Sequence, residues 1–401
     1  MRKEDQRFFS VLLILGFLLL LLFFAVKFPL AGTAVEADGA DTTIADLSEP
    51  DVLSDAYESA EKTLILWFAD PSMEAFFHQC ALDYFEQTGI AVRLEQPDSL
   101  RYAEQIYEES IAEEGQLPDL YLAANDEMEE LVLLGLAAEK QETAKESDLA
   151  ETAKKAAVLR GTAYGYPLYF NTPVFAYLTE AFEEQPVSIQ GMLDFISEND
   201  LPIDVGNLVE WDADDEYFDF AFFGDCFTFS DEEKGHLSVT RDDALFDKKL
   251  AYLKELTDSI TIDAETVSEG AVVSHLNHAA TASAVIDSDD LSQLNVPYGI
   301  CPLLPLDESL SMRGAAVTGM LFVNGFSERQ EEAADFAQFI ATEERQKIHE
   351  LSPHFSVYAS ENTDGDAAVA FTAYENAEPM PHSMDSDDFW KSLRSEILKL
   401  F

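Results

Sequence analysis

From Thr63 onward the chain alternates short apolar runs with segments of helical periodicity, and this alternation limits the fold more than any other feature. The runs "TLILW", "IAVRLEQ" and "PDLYLAA" predict strands at 63–67, 90–96 and 118–124. Apolar residues on one helical face predict the helices that follow them, at 72–88, 99–114 and 126–138. Strand–helix repetition of this kind predicts right-handed βαβ crossovers and a parallel sheet, and therefore an α/β fold.

Polar and aromatic side chains follow the first and third predicted strands, where each strand ends. Trp67 and Asp70 close the first strand, and Asn125 and Asp126 follow the third. In open α/β sheets ligands bind at the carboxyl ends of the strands, so these four residues are candidates for one crevice. The alternatives are that Trp67 packs in the core and that both aspartates cap helices.

The pattern changes beyond residue 160, where "TAYGYPLYFNTPVFAYL" is aromatic, extended and interrupted by Pro167 and Pro173. Strands are expected again in "YGICPLLPL" and "GAAVTGMLFVNG". Periodicity predicts further helices at 188–198, 242–259, 267–280, 328–350 and 387–400.

The charge of the chain is strongly negative, with 24 Lys and Arg against 78 Asp and Glu. Such a surface repels nucleic-acid phosphates and anionic lipid headgroups, which excludes both as partners. Solubility or adaptation to a salty or acidic habitat explains the charge, and attraction of cationic ligands is the functional alternative.

The N-terminal segment is apolar, unlike the rest of the chain. Residues 8–26 contain Ser10 as their only polar side chain, and Arg2, Lys3 and Arg7 precede them. This length and charge predict an uncleaved, single-pass membrane helix within 1–28 with a cytoplasmic N-terminus; a cleaved signal peptide is the alternative. An acidic, flexible linker is expected at 29–62, and the bulk of the chain is expected outside the cytoplasm.

Motifs for nucleotide binding, metal binding and catalysis do not stand out. Neither G-x-G-x-x-G after the first strand nor a P-loop occurs, and no nucleophile–histidine arrangement is evident. His275 and His278 have a helical spacing but no evident third ligand, and "WDADDEYFD" lacks the Gly and Glu of an EF-hand loop. The three cysteines are predicted to be small buried hydrophobes. We therefore expect no enzymatic activity, no cofactor and no metal.

The order of these segments resembles that of extracellular solute-binding proteins of the maltose-binding-protein type. The resemblance covers nearly everything from Thr63 onward. It is carried by "LILWF", "FEQTGIAVRLE", "LPDLYLAANDEMEELVLLGLAAE", "GTAYGYPLYFNTPVFAYLTEAF", "YGICPLLPL" and "GAAVTGMLFVNGFSERQEEAADFAQFIATEERQ".

The resemblance implies a two-lobed, type II periplasmic-binding-protein-like fold, a monomer that delivers a sugar or oligosaccharide to the permease subunits of an ABC importer. It implies a first lobe from 63–167 and 299–349, and a second from 168–298 and 350–401. It places Trp67, Asp70 and Asp126 at the wall of the cleft, and Asn171, Tyr217 and Trp390 at matching ligand positions. Tyr169 is a candidate beside Asn171, and loop packing is the alternative for Tyr169, Asn171 and Tyr217. For Trp390, helix amphipathicity is the alternative.

The chain departs from the sugar-binding pattern in two places. Asp287-Ser-Asp-Asp290 follows "TASAVI" where sugar binders commonly have an aromatic-rich turn, which makes Asp289 a candidate ligand residue. Glu127 stands where maltodextrin binders commonly have a basic residue. A more acidic cleft leaves two alternatives to sugar capture: a binder of a cationic ligand, or a sensor or structural surface protein with a degenerate cleft.

Overall fold

The computed structural model describes residues 57, 60–97, 102–111, 117–140, 148–231, 237–257, 271–381, 383 and 386–398. Within these ranges, no helix is both long and apolar enough to cross a membrane. The predicted anchor at 8–26 and nearly all of the predicted linker at 29–62 lie outside the described residues.

The described chain is a mixed α/β structure. Its strands are β1 (Thr63–Trp67), β2 (Ala91–Glu95), β3 (Leu120–Ala124), β4 (Val158–Leu159), β5 (Thr162–Ala163), β6 (Tyr166–Asn171), β7 (Pro173–Leu178), β8 (Phe227–Asp231), β9 (Leu237–Arg241), β10 (Ser283–Asp287), β11 (Tyr298–Cys301), β12 (Ala315–Val323), β13 (Phe355–Ser356) and β14 (Glu378–Pro379). Its α-helices are α1 (Glu74–Thr88), α2 (Tyr102–Ile111), α3 (Met128–Leu133), α4 (Glu151–Ala156), α5 (Ile189–Glu198), α6 (Glu216–Phe223), α7 (Asp243–Thr257), α8 (Ala271–Asn277), α9 (Gln330–Phe339), α10 (Ile348–Leu351), α11 (Gly365–Asn376) and α12 (Ser386–Ile397). Short 3-10 turns follow three strands, at Pro71–Met73, Asn125–Glu127 and Asp289–Gln293.

The largest sheet of the described chain has the strand order β13-β6-β12-β3-β1-β2, with β14 beside β12. Strand β1 runs parallel to both β2 and β3, which confirms the predicted βαβ beginning of the fold. Strand β12 is antiparallel to β3 and β6, so the sheet is mixed rather than all parallel.

A second sheet has the order β10-β7-β11 and is antiparallel throughout. The chain passes from the first sheet to the second within a few residues, because β6 ends at Asn171 and β7 begins at Pro173. Thr172, the residue between them, is buried and receives a backbone hydrogen bond from Ser288 N–H at 3.0 Å. The candidate residue Asn171 therefore lies where the two sheets meet.

Each sheet has its own apolar core. Leu64 and Leu66 of β1 pack with the phenylalanines of α1 and α9 on one face, whereas Ile65 and Trp67 pack with Tyr121 on the other. Alternate side chains of a strand point to opposite faces, so β1 is buried on both sides. A separate cluster surrounds β7 and β10 and includes the aromatic residues of α6. The three cysteines are free and buried, as predicted.

The long helix predicted at 328–350 is wrong as a single element. Helix α9 ends at Phe339, and a π turn at Ile340–Glu344 and a 3-10 turn at Arg345–Lys347 precede α10. Side chains from elsewhere in the chain contact this irregular path: Arg345 pairs with Asp148 at 3.1 Å, and Lys347 pairs with Asp83 at 2.6 Å. Distant residues therefore reshape a segment whose periodicity is helical.

Two glycines end helices or turns through left-handed backbone angles. Gly89 follows α1 with φ of 72°, and its N–H bonds to Phe85 C=O, which confirms the predicted helix end. Gly135 has φ of 73° and ends the helical segment predicted to continue to residue 138. Glycine takes this conformation at little cost because it has no Cβ.

Candidate functional site

The corner after β1 is built by a local capping interaction. Asp70 has an extended backbone, and its Oδ1 accepts a hydrogen bond from Ser72 N–H at 2.9 Å. Pro71 at the first position of the 3-10 turn lacks an N–H that would need a partner. Because the cap uses Oδ1, the second carboxylate oxygen is available to a residue from elsewhere in the chain.

That residue is His354, which joins four elements of the fold. Its Nε2 lies 2.8 Å from Asp70 Oδ2, and its Nδ1 lies 3.0 Å from Asn171 Oδ1. Asn171 Nδ2 in turn donates to Asp289 Oδ2 at 3.2 Å, and the imidazole stacks on Tyr169 with 4.0 Å between ring centroids. We call these five residues the His354 network. Both ring nitrogens face oxygen acceptors, an arrangement that a doubly protonated imidazolium satisfies.

The two aspartates of the network respond differently to their surroundings. For Asp70, burial raises the pKa, but the hydrogen bonds from His354 and Ser72 together outweigh it, and the pKa is lowered. For Asp289, burial dominates and the pKa is raised; the nearby Asp70 charge adds to this, while His354 opposes it. Distance explains the contrast, because His354 lies 2.8 Å from Asp70 but 3.9 Å from Asp289.

Two further carboxylates stand in the 3-10 turn after β3. Burial raises the pKa of Asp126, and burial together with the Asp126 charge raises the pKa of Glu127 to about 7. Yet the side chain of Asp126 is exposed to water. Glu127 beside it is half-buried, so the two neighbouring carboxylates differ in their contact with water.

A second group of carboxylates surrounds a cavity of about 440 Å³ beside β10. Its wall consists of Asp212, Asp215, Phe218, Val272, Val273, Val285, Ile286, Asp287, Asp289, Asp290 and Gln293. We call it the acidic cavity. Asp289 belongs both to this cavity and to the His354 network, so the two regions are continuous. Burial raises the pKa of Asp287 well above its ordinary value, and the charges of Asp289 and Asp290 add to the shift.

Three of the predicted site residues lie in the protein interior. Trp67 is buried and donates from Nε1 to Glu95 Oε2 at 2.8 Å. Trp390 is buried in α12 against Phe220, with ring centroids 5.3 Å apart. Asn125 is 0% exposed. Each of these side chains is held by protein contacts and stays outside the His354 network.

The amide of Asn125 connects three parts of the fold. Its Nδ2 donates to Met380 C=O at 2.7 Å, and its Oδ1 accepts from Thr318 N–H at 2.8 Å. Both ends of the amide are therefore satisfied inside the protein.

Tyr217 lies at the first turn of α6, and Asp215 caps that helix by accepting from Tyr217 N–H at 2.9 Å. The Tyr217 hydroxyl oxygen is buried and has no hydrogen-bond partner among the described residues. Burial raises its pKa well above the ordinary value, and Asp287, Asp289, Asp215 and Asp290 add to the shift. All four carboxylates line the acidic cavity, whereas Tyr217 is not one of its wall residues.

His354 is the functional candidate that the sequence analysis missed. Asn171 and Asp70 lie 183 and 284 residues away along the chain. The local sequence "SPHF" contains a single histidine without a neighbouring acid or metal-ligand spacing. No local signal identifies such a residue, because its partners are brought together only by the sheet.

Polar side chains gathered where two sheets of an α/β fold meet are typical of a protein that binds a small molecule. A family model described as bacterial extracellular solute-binding protein matches residues 79–373, which is more than half of the chain. This chain belongs to that family of extracellular solute-binding proteins. A search of curated protein sequences finds no match.

Solved structures of sugar-binding proteins share the fold. A cyclo/maltodextrin-binding protein in complex with maltotetraose aligns with a TM-score of 0.71 and 16% identity, over 84% of this chain and 91% of that one. An extracellular solute-binding protein from Staphylococcus aureus in complex with maltose aligns with a TM-score of 0.69 and 17% identity, over 84% and 92%. At this identity the likeness supports the two-lobed solute-binding fold.

Proposed function

We propose that this protein captures a carbohydrate between two lobes and delivers it to an ABC importer. The observation that carries the proposal is the set of polar groups that follow the strand ends: Asp126 and Glu127 in the turn after β3, and the carboxylates and amide of the His354 network, whose Tyr169 is close enough to Glu127 to feel its charge. Ionised carboxylates are strong acceptors for sugar hydroxyls, and ligand sites combine few such groups with apolar walls. The maltose and maltodextrin complexes of similar fold support this choice of ligand class.

In this proposal the two sheets are the centres of the two lobes. The resemblance gives a first lobe of 63–167 and 299–349 and a second of 168–298 and 350–401. Because β6 and β13 pair within the first sheet and β11 within the second, the proposal moves these bounds by a few residues at those three strands. The short step from β6 to β7 across Thr172 would then be one of the connections that bend when the lobes close. Closure around a solute increases the closed population only if the solute contacts both lobes.

The partners follow from the same proposal. The domain acts outside the cytoplasm as a monomer, residues 8–26 anchor it to the membrane, and ABC permease subunits receive the solute. Mass spectrometry of the N-terminus in native membranes tests the anchor. A mature chain that begins near residue 33 would show instead that the segment is a cleaved signal.

Calorimetric titration of the full chain with maltotriose and maltotetraose tests the carbohydrate. We expect saturable binding, and we expect Asp126→Asn to weaken it at least about tenfold, because a charged acceptor contributes roughly 1.5–3 kcal/mol. Glu184→Gln removes one charge from an exposed loop and serves as the control. Equal affinities for the two variants would contradict the assigned role of Asp126, and absence of binding to a broad sugar panel would refute carbohydrate capture.

A further inference from the structure

We propose that a groove between α4 and the β8–β9 hairpin binds a small organic anion, a single carboxylate that carries an apolar body. The described residues that line this groove include no member of the His354 network, none of the acidic cavity, and neither Asp126 nor Glu127. The groove is therefore separate from the candidate solute site, and the proposal goes beyond the proposed function without resting on it.

The groove has a volume of about 490 Å³, and we call it the hairpin groove. Its walls consist of Lys154, Lys155, Val158, Phe229, Ser230, Leu237 and residues 378–381. Volumes in this range are ordinary for sites that enclose a small organic molecule. The wall combines lysines with hydrocarbon, and these two features have to be explained together.

The apolar part of the wall is not used up by the cores of the protein. Val158 and Leu237 are half-buried and belong to none of the three apolar clusters of the described chain. Phe229 is also half-buried, and its ring is held by Phe389 with 5.2 Å between centroids. These side chains keep apolar surface in contact with water, and burial of that surface under the apolar body of a ligand is favourable.

Two lysines give the hairpin groove its positive charge. Lys154 Nζ pairs with Glu151 at 2.6 Å. Lys155 is exposed, and no described residue forms an ion pair or a hydrogen bond with its ammonium group, although its charge acts on Glu151 at a distance. In a chain with 78 Asp and Glu against 24 Lys and Arg, a lysine without an ion pair is unexpected.

The carboxylate that the groove itself contains is already paired. Glu378 lies 3.1 Å from Arg313 Nη1, so its charge is compensated from outside the groove. A ligand carboxylate can accept an N–H bond from Lys155, which a cationic ligand cannot do. One unpaired ammonium group suits one carboxylate better than a doubly charged phosphate.

The wall formed by residues 378–381 is fixed before any ligand arrives. The Glu378 N–H donates to Gly314 C=O at 3.0 Å, and the Met380 N–H donates to Ala316 C=O at 2.8 Å. Asn125 Nδ2 in turn donates to Met380 C=O at 2.7 Å. Such a preformed wall lowers the cost of ordering the site on binding.

Calorimetric titration of the full chain with octanoate tests the proposal, with 1-octanol as a neutral molecule of the same chain length. We expect saturable binding of octanoate with one molecule per chain, at least about tenfold tighter than that of 1-octanol, because only the carboxylate can pair with Lys155. Equal affinities for the two molecules, or no saturable binding of octanoate, would overturn the anion site.

Variants of the wall locate the bound octanoate. Lys155→Gln should raise its dissociation constant by a few-fold, and Lys155→Glu should raise it at least about tenfold, because attraction is replaced by repulsion. Leu237→Asn should weaken octanoate and 1-octanol alike, because it removes apolar wall and leaves the charge unchanged. Thermal unfolding of each variant without ligand verifies that it is folded.

Lys62→Gln is the matched control, since it removes the same charge from an exposed lysine that lies before β1 and pairs with Glu332. We expect it to change the dissociation constant for octanoate by less than about twofold. Equal weakening by Lys62→Gln and Lys155→Gln would overturn the anion site, because the effect would then come from net charge alone.

Maltotriose titrated into the same preparations separates the two proposals. Octanoate binding that depends on Lys155, with no sugar binding, would support the anion site and refute carbohydrate capture. Sugar binding without octanoate binding would overturn the anion site and leave the proposed function intact. Complete displacement of octanoate by maltotriose would place both molecules in one site and overturn a separate hairpin groove.

Discussion

Asp70 in the His354 network and Asp287 in the acidic cavity are the same residue type at the end of a strand, yet their pKa values shift in opposite directions. Both carboxylates are desolvated. Asp70 has His354 at 2.8 Å and Ser72 N–H at 2.9 Å as donors. The Asp287 carboxylate accepts a hydrogen bond from the Ser288 backbone N–H at 2.7 Å, and the charges of Asp289 and Asp290 act on it.

Since burial acts on both carboxylates in the same direction, the donors around Asp70 account for the difference between these two residues. The His354 network is complete within the chain and connects distant elements, which is typical of a structural support. Among the described residues, no Lys, Arg or His lines the acidic cavity, and burial together with two neighbouring carboxylates raises the pKa of Asp287. The two regions are adjacent and share Asp289.

The largest effect is expected from removing the centre of the network. His354→Ala leaves Asp70 and Asn171 without their buried partner and removes the ring that stacks on Tyr169. We expect the free energy of unfolding to fall by about 3 kcal/mol, measured by urea denaturation. His278 is exposed and bonds to the Ser274 carbonyl at the end of α8. The control His278→Ala should change the free energy of unfolding by less than about 0.5 kcal/mol. Equal effects would show that the network has no special role.

Asp287→Asn should act in the opposite direction and stabilise the protein at neutral pH. A carboxylate whose folded pKa is raised contributes stability below its unfolded pKa and loses that contribution as pH rises through the folded pKa. Asparagine keeps an oxygen that can accept from Ser288 N–H but carries no charge. We expect the free energy of unfolding to rise by about 1–2 kcal/mol near pH 7, and we expect the two proteins to be equally stable near pH 4. A loss of stability at neutral pH would contradict the raised pKa of Asp287.

Asp70→Asn should lower stability by about 1 kcal/mol at neutral pH, because it weakens the charged hydrogen bond to His354. The folded pKa of Asp70 is lowered, so its contribution is present above the unfolded value of about 4 and is lost as pH falls through the folded pKa. Urea denaturation of both proteins over a pH series measures the difference. A difference that instead grows as the solution is acidified would refute the ion pair.

Glu127 should give the smallest and most local effect. Like Asp70, it follows a strand of the largest sheet, but it has no basic partner among its principal influences, and its pKa is about 7. Replacing its neighbour by Asp126→Asn removes one repelling charge and should lower the Glu127 pKa by roughly half a unit. Carboxyl-carbon NMR titration measures this directly. An ordinary Glu127 pKa in the unmodified protein would contradict the raised value and the contrast with Asp70.

Local sequence determined the elements whose causes are local. The apolar runs of β1, β2 and β3 and the Gly89 helix end were predictable because strand burial and left-handed turns leave short-range signals. The capping alternative for Asp70 also has a local cause, since the hydrogen bond spans two residues.

Tertiary structure decided the roles of individual aromatic and polar side chains. Trp67 and Trp390 occupy the cores, because a strand buried on both faces and an amphipathic helix each direct a tryptophan inward. The segment at 328–350 is helical by period, but the helix is interrupted where Arg345 pairs with Asp148 and Lys347 with Asp83. Propensity is weak compared with such contacts.

The sequence predicted only part of the candidate site. The polar residues at strand ends and the acidic turn at 287–290 indicated where a ligand would bind, since the carboxyl ends of strands gather at one edge. The sequence could not indicate that His354 would pair with Asp70 while Asp287 stays without a basic partner. Those contacts join residues hundreds of positions apart, and only the packing of the sheets sets which charge lies beside which donor.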